Sequence, residues 1–188
     1  NSPTVNSSVA EYHELEVAWS ASDNIEMDSV FIYFSNGGGA FMLMGQVSDL
    51  VSEYSFMVPS GVTDSAQVRL VAVDIYGNEG ESLSEFFSVT DNTPPEVAFN
   101  NTTSDVSIAD NATITWTASD NTGLGHHIVY LSIDGGLNFT FLDSVSGIEE
   151  NIIWTVPNVD TDNAKLAIIS TDIVGLTDQD TTNQFSIL

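Results

Sequence analysis

The chain has 188 residues, 42% of them hydrophobic, and sets 27 acids against two cations, Arg69 and Lys165, for a formal charge of −25. That balance argues against nucleic acid and anionic membranes as partners, because both are held by clustered lysine and arginine. The absence of cysteine excludes disulfides and thiolate metal sites, so stability is left to packing or to ions bound by oxygen.

Metal cations are the natural counter-charge for such a surface. Acidity that keeps a protein soluble in salty surroundings explains the same composition. The length suits two small domains, each able to bury an ordinary core. No run of about 18 apolar residues suggests a membrane span, and no basic segment followed by an apolar one suggests a signal peptide.

Asn1-Ser2-Pro3-Thr4-Val5 reads as an extended connector. Beyond it, Val17, Trp19 and Ala21 fall on one face in the stretch up to Asp23-Asn24, the period-two signature of a strand with one buried face. Val30-Phe31-Ile32-Tyr33-Phe34-Ser35 predicts a second such strand, closed by the turn Gly37-Gly38-Gly39. Phe41-Met42-Leu43-Met44 is unusually apolar for a strand near an edge: it is either buried or covered by a neighbouring subunit. Tyr54, Phe56 and Val58 continue the alternation up to Pro59, Val68, Leu70 and Ala72 carry it to Asp74, and Phe87-Ser88-Val89-Thr90 ends the unit.

Thr90-Asp91-Asn92-Thr93-Pro94-Pro95-Glu96-Val97 follows, two prolines making a stiff link. The landmarks then return. Ile114-Thr115-Trp116-Thr117-Ala118-Ser119-Asp120-Asn121 stands 97 residues after its counterpart. Ile128 to Ser132 with Asp134-Gly135-Gly136 comes next, and one residue is inserted before Ile152 to Pro157, Leu166 to Asp172, and Phe185. One order of landmarks kept twice is a duplication, and the chain reads as two units of a longer array. No segment carries a capped helical period. The expected fold is all-β: two tandem immunoglobulin-like β-sandwich domains, residues 1–91 and 92–188, joined by the short Pro-Pro linker.

The motifs Asp91 to Val97, Trp19 to Asn24 and Ala72-Val73-Asp74-Ile75-Tyr76-Gly77-Asn78 make the chain resemble bacterial and archaeal extracellular immunoglobulin-like repeats. It is also similar to cadherin repeats, whose linker and loop acids bind interdomain calcium. The resemblance implies Ca²⁺ at Asp91, Asn92, Asp120, Asn121 and Asp172, with Asp23 and Asp74 as a less complete set in the first unit. The glutamate motifs that cadherins take from the preceding domain have no clear match, although Glu11 or Asp64 could contribute from lower loops. Oxygen-only donors on separate loops suit calcium; the alternative is that the same acids close Asx turns.

Ser132-Ile133-Asp134-Gly135-Gly136-Leu137-Asn138-Phe139 fits an Asp-box, but Asp and Gly at a tight hairpin account for it. His13 and the pair His126-His127 are too few and too adjacent for a metal triad and are expected in solvent loops. Trp19, Trp116 and Trp154 fall on inward positions, which makes them core residues rather than a sugar platform. Acceptor sequons at Asn6, Asn100, Asn101, Asn111 and Asn138 favour export.

No nucleophile elbow, zinc-protease helix or phosphate loop is present. The sequence therefore points to a non-catalytic extracellular, cell-surface module: a stalk, adhesin, surface-layer or filament subunit. Its partners would be neighbouring repeats, other copies of itself, or a surface or glycan ligand. The alternative is an accessory or carbohydrate-binding spacer of a secreted hydrolase.

Overall fold

A computed structural model describes residues 5–100 and 105–188; Asn101 and the first connector residues lie outside them. The chain divides into two compact units, Asn1–Asn92 and Thr93–Leu188. Among the described residues there are strands and no helix, hence no helix long and apolar enough to cross a membrane.

Unit 1 holds β1 (Ser8–Ala10), β2 (Glu14–Ala18), β3 (Met27–Ser35), β4 (Met42–Ser48), β5 (Glu53–Met57), β6 (Thr63–Asp74), β7 (Glu79–Leu83) and β8 (Phe87–Thr90). Unit 2 holds β9 (Glu96–Phe99), β10 (Asn111–Ser119), β11 (Leu124–Ser132), β12 (Thr140–Ser146), β13 (Asn151–Thr155), β14 (Thr161–Asp172), β15 (Thr177–Thr181) and β16 (Phe185–Ile187). In unit 1 the pair β2-β5 faces a sheet ordered β1-β8-β6-β3-β4, with β7 also on β6. In unit 2 the sheet β13-β10-β9 faces β12-β11-β14-β15, with β16 also on β14.

The duplication is visible strand by strand. From β3 against β11 to β4 against β12 the offset grows by one residue, which places the insertion in the hairpin between them. Both copies carry a β-bulge one residue before that hairpin's aromatic, at Ile32/Tyr33 and Val129/Tyr130. Both also hold a non-glycine residue in the left-handed region, Tyr12 (φ 59°) and Ala109 (φ 67°).

Alternation builds each core. Leu15, Val17 and Phe56 of one layer of unit 1 meet Val30, Ile32, Phe34, Val68 and Leu70 of the other, with Phe34 edge-on to Phe56 at 5.7 Å. Ile114, Trp116, Ile152 and Trp154 of unit 2 meet Val129, Leu131, Leu166, Ile168 and Phe185, with Trp154 edge-on to Phe185 at 6.5 Å. Trp116 and Trp154 are buried as expected of core residues, whereas Trp19 is half-buried and lines a cleft with Met27 and Leu70. Of the apolar run at 41–44, Met42 is 51% and Leu43 56% exposed along β4, an edge strand of its sheet.

The histidine expectation is corrected. His126 and His127 lie within β11, not in a loop, and His127 is fully buried against Trp116, ring centroids 5.4 Å apart. Polarity misleads here because imidazole has an apolar body that packs well once one nitrogen finds an acceptor.

Candidate metal site

Asp120 follows β10 and Asp172 is the last residue of β14. Along β14 the inward positions run Ala164, Leu166, Ile168, Ser170, Asp172, so the strand's own alternation carries the carboxylate to the end of the core, where it is only 3% exposed. Its Oδ1 accepts the backbone N–H groups of Val174 (2.9 Å), Gly175 (2.6 Å) and Leu176 (2.8 Å), closing the β14–β15 turn. Gly175 supplies the positive φ, 100°, that this turn needs.

Asp120 acts in the same way on the β10–β11 loop. Its Oδ1 accepts from the Thr122 N–H, the Thr122 hydroxyl and the Gly123 N–H, each at 2.8 Å. The two loops are tied together where Ile173 N–H donates to the Gly123 carbonyl at 3.0 Å. A carboxylate oxygen of Asp120 thereby comes within 4.8 Å of one of Asp172.

Each acid is thus a turn former through Oδ1. In both, Oδ2 is buried and has no hydrogen-bond partner. Two carboxylates at this separation repel by about 3 kcal/mol at an effective dielectric near 20, and each unpartnered oxygen adds a desolvation cost. A cation with a preference for oxygen relieves both at once.

Unit 1 provides an internal comparison. Asp74, at the position of Asp172, has both oxygens occupied: Oδ1 accepts from Tyr76 N–H and Asn78 N–H at 2.8 Å each, and Oδ2 from the Asn78 side-chain amide at 2.6 Å. The Asn78 side chain, followed by the backbone donors, holds its carboxyl below the usual carboxylate range. Leu176 stands where Asn78 would be in unit 2 and can donate nothing from its side chain, so Asp172 Oδ2 is left over. Asp23 is exposed and accepts from Ile25 N–H at 2.9 Å.

Each remaining candidate has its place within its own unit. Asn121 sits exposed between Asp120 and Thr122, and Asp91 and Asn92 follow β8. Glu11 is buried and accepts Gly61 N–H at 2.8 Å, while Asp64 accepts the Ser88 hydroxyl at 2.9 Å. Asn6, Asn100 and Asn111 are exposed. Asn138 is exposed as well, but its amide is engaged with Asp134.

Asp134 is a hairpin device. It accepts from the Ser132 hydroxyl (2.7 Å), Leu137 N–H (3.0 Å), Asn138 N–H (2.9 Å) and the Asn138 amide (2.7 Å), which together lower its pKa to about 2. The folded value lies below the ordinary 3.8, so its contribution is complete above pH 3.8 and is lost as pH falls toward 2. Asp134→Ala is expected to speed amide exchange at Leu137 and Asn138 at neutral pH with little change elsewhere in β11 and β12. Unchanged protection of those two amides would contradict this role.

Sequence reasoning missed the glycines that let these loops close. A Cβ on Gly125 would lie 2.7 Å from the Asp172 carbonyl oxygen, and one on Gly147 would meet the Leu124 carbonyl. A glycine at a register shift marks such close approach, but the shift itself is a property of the paired strands.

No family model and no curated protein matches the chain. Among solved structures it is similar to the fibronectin(III)-like modules of Clostridium thermocellum CbhA, at 16% identity and TM-score 0.42, covering 99% of this chain and 93% of that one. It is also similar to domains FN1-FN3 of chicken CNTN1, at 14% identity and TM-score 0.32, covering 97% and 66%. A marsupial T cell receptor matches at 9% identity and TM-score 0.46, covering 99% and 71%.

Proposed function

We propose that this chain is a non-catalytic structural module of an extracellular surface protein, two immunoglobulin-like sandwiches in tandem, in which Ca²⁺ orders the loop end of unit 2. The observation that carries it is the Asp120–Asp172 pair: two acids that each spend one oxygen on a turn and keep the other buried without a donor. With only two cationic side chains in 188 residues, the chain has little of its own to neutralise them. A dissolved divalent ion is the available partner, and calcium accepts irregular sets of six to eight oxygens.

Two carboxylates are a minority of such a shell, so backbone carbonyls, waters and further acids complete it. The connector residues Asp91 and Asn92, which directly precede Thr93 in sequence, are the candidates from the chain itself. Calcium ordering the loops turns a soft end of the sandwich into a firm one, which suits a module whose task is to hold position in an array. The exposed edge strand β4, with Met42 and Leu43, offers a surface for a second copy.

Thermal unfolding of chelator-dialysed protein tests the site. Calcium at a hundred times its Kd is expected to stabilise by about 2.7 kcal/mol, which for a unit of this size raises Tm on the order of 10 °C. Magnesium should do less, because it demands a tighter octahedron. Asp172→Asn and Asp120→Asn should lose the response, Asp23→Asn should keep it, and Asp91→Asn reports whether the connector contributes. Equal shifts with calcium, magnesium and added salt would overturn the proposal and leave the acids as turn formers on a salt-adapted surface.

A further inference from the structure

The two units differ in polarity at a pair of positions on neighbouring strands. On the paired strands β3 and β6, Val30 stands opposite Ala72. The same positions of unit 2, on β11 and β14, hold His127 opposite Ser170. Both are 0% exposed, and residues directly opposite in an antiparallel pair have Cβ atoms about 4.5–5.5 Å apart. An apolar pair in one copy is a polar pair in the other: Val30 and His127 are equally buried, whereas Ala72 is only partly buried and Ser170 wholly so.

The polar pair is incompletely satisfied. His127 Nε2 lies 3.3 Å from the Gly147 carbonyl, an acceptor, so Nε2 carries the hydrogen and Nδ1 is the bare nitrogen of a neutral ring. Neither His127 Nδ1 nor Ser170 Oγ has a hydrogen-bond partner. A proton added at Nδ1 would create a cation inside the sandwich with no acceptor for the new N–H.

The surroundings do little to offset that. From β10, Trp116 presents the edge contact; from β12, Val145 is the paired residue; from β14, Ser170 faces the ring. Burial holds the imidazole below its ordinary 6.5, outweighing the Gly147 carbonyl and the carboxylate of Glu150, which favour the charged form, while His126 adds to the effect of burial. Asp172 lies beyond Ser170 on the same face of β14, and its strand partner is Leu124, not His127.

We propose that the His127–Ser170 pair makes unit 2 the acid-labile half of the chain, so that mild acid loosens it while unit 1 stays folded. The unfolded chain takes up a proton near pH 6.5 and the folded unit resists it. Stability is therefore complete above pH 6.5 and falls as pH drops below that value, until the folded imidazole also titrates. Carboxylates of ordinary pKa stay ionised above about pH 5, which leaves a window belonging to histidine.

Unit-resolved hydrogen exchange of the whole chain in chelator, between pH 7.5 and 5.0 and corrected for intrinsic rates, tests this. Opening of unit 2 should rise up to tenfold per pH unit below 6.5, with unit 1 flat. The double variant His127→Val with Ser170→Ala, which copies unit 1, should flatten unit 2 as well. Equal acid sensitivity of both units, or a variant as labile as the parent, would overturn the proposal. Should the variant fold poorly, an NMR titration of the parent decides: a His127 ring that titrates at the free-histidine value refutes it. Working without calcium keeps this outcome separate from that of the metal site.

Discussion

Replacing Trp116 with alanine is expected to cost unit 2 about 3–5 kcal/mol, a large share of the stability of a domain this size. The side chain is 0% exposed, belongs to β10 in register with Phe99, and meets the His127 ring edge-on. Strands on both layers hold its surroundings in place, so the cavity cannot collapse. Trp19→Ala, at the same position of unit 1, should cost clearly less, because that indole is only half-buried at the edge of a cleft. Trp116→Phe should fall between: it loses volume but also removes an indole N–H that has no partner. Unit-resolved exchange or thermal unfolding gives the order directly. Equal losses for the two alanine variants would show that neither cleft nor burial decides the outcome.

Gly125→Ala is the second large effect. The added Cβ would sit 2.7 Å from the Asp172 carbonyl oxygen and 3.2 Å from both the Asp172 carbonyl carbon and the Thr171 oxygen. All three are backbone atoms in the β11–β14 ladder, which cannot swing aside as a side chain would. Relief requires β11 to lift from β14 where Leu124 pairs with Asp172, at an expected cost of about 1–3 kcal/mol. Because Asp172 moves with its backbone, the calcium response should weaken by more than the stability loss alone explains. Gly80→Ala is the matched control: no atom lies within 4 Å of its added Cβ and its φ is not positive, so it should stay within about 0.5 kcal/mol of the parent. A Gly125 variant as stable as the Gly80 variant would mean that the strands have slack at the site.

Calcium and acid would act on the same unit by different means. The ion would remove repulsion between Asp120 and Asp172 at one end of the core, and the proton would introduce a charge at His127 within it. Unit 1 would respond to neither through these groups: Asn78 satisfies Asp74, and Val30 with Ala72 offers nothing to titrate.

The strands and the duplication are legible in the sequence alone, because both are local. Val17-Trp19, Phe56-Val58 and Val68-Leu70-Ala72 alternate with period two, and their counterparts return in the same order. The sequence also pointed to acids that would gather, since Asp120 just after β10 and Asp172 at the end of β14 fall at one end of an immunoglobulin-like sandwich. What it left open between turn and metal, the tertiary structure divided by atom: Oδ1 closes each turn and Oδ2 remains over. Only the folded chain could show this, because whether a carboxylate's second oxygen finds a donor depends on a residue four positions away, Asn78 in one unit and Leu176 in the other, folding back over it. His127 belongs to the tertiary structure for the same reason. Its neighbour His126 is as polar in sequence, and only the strand's phase against β14 decides which of the two enters the core.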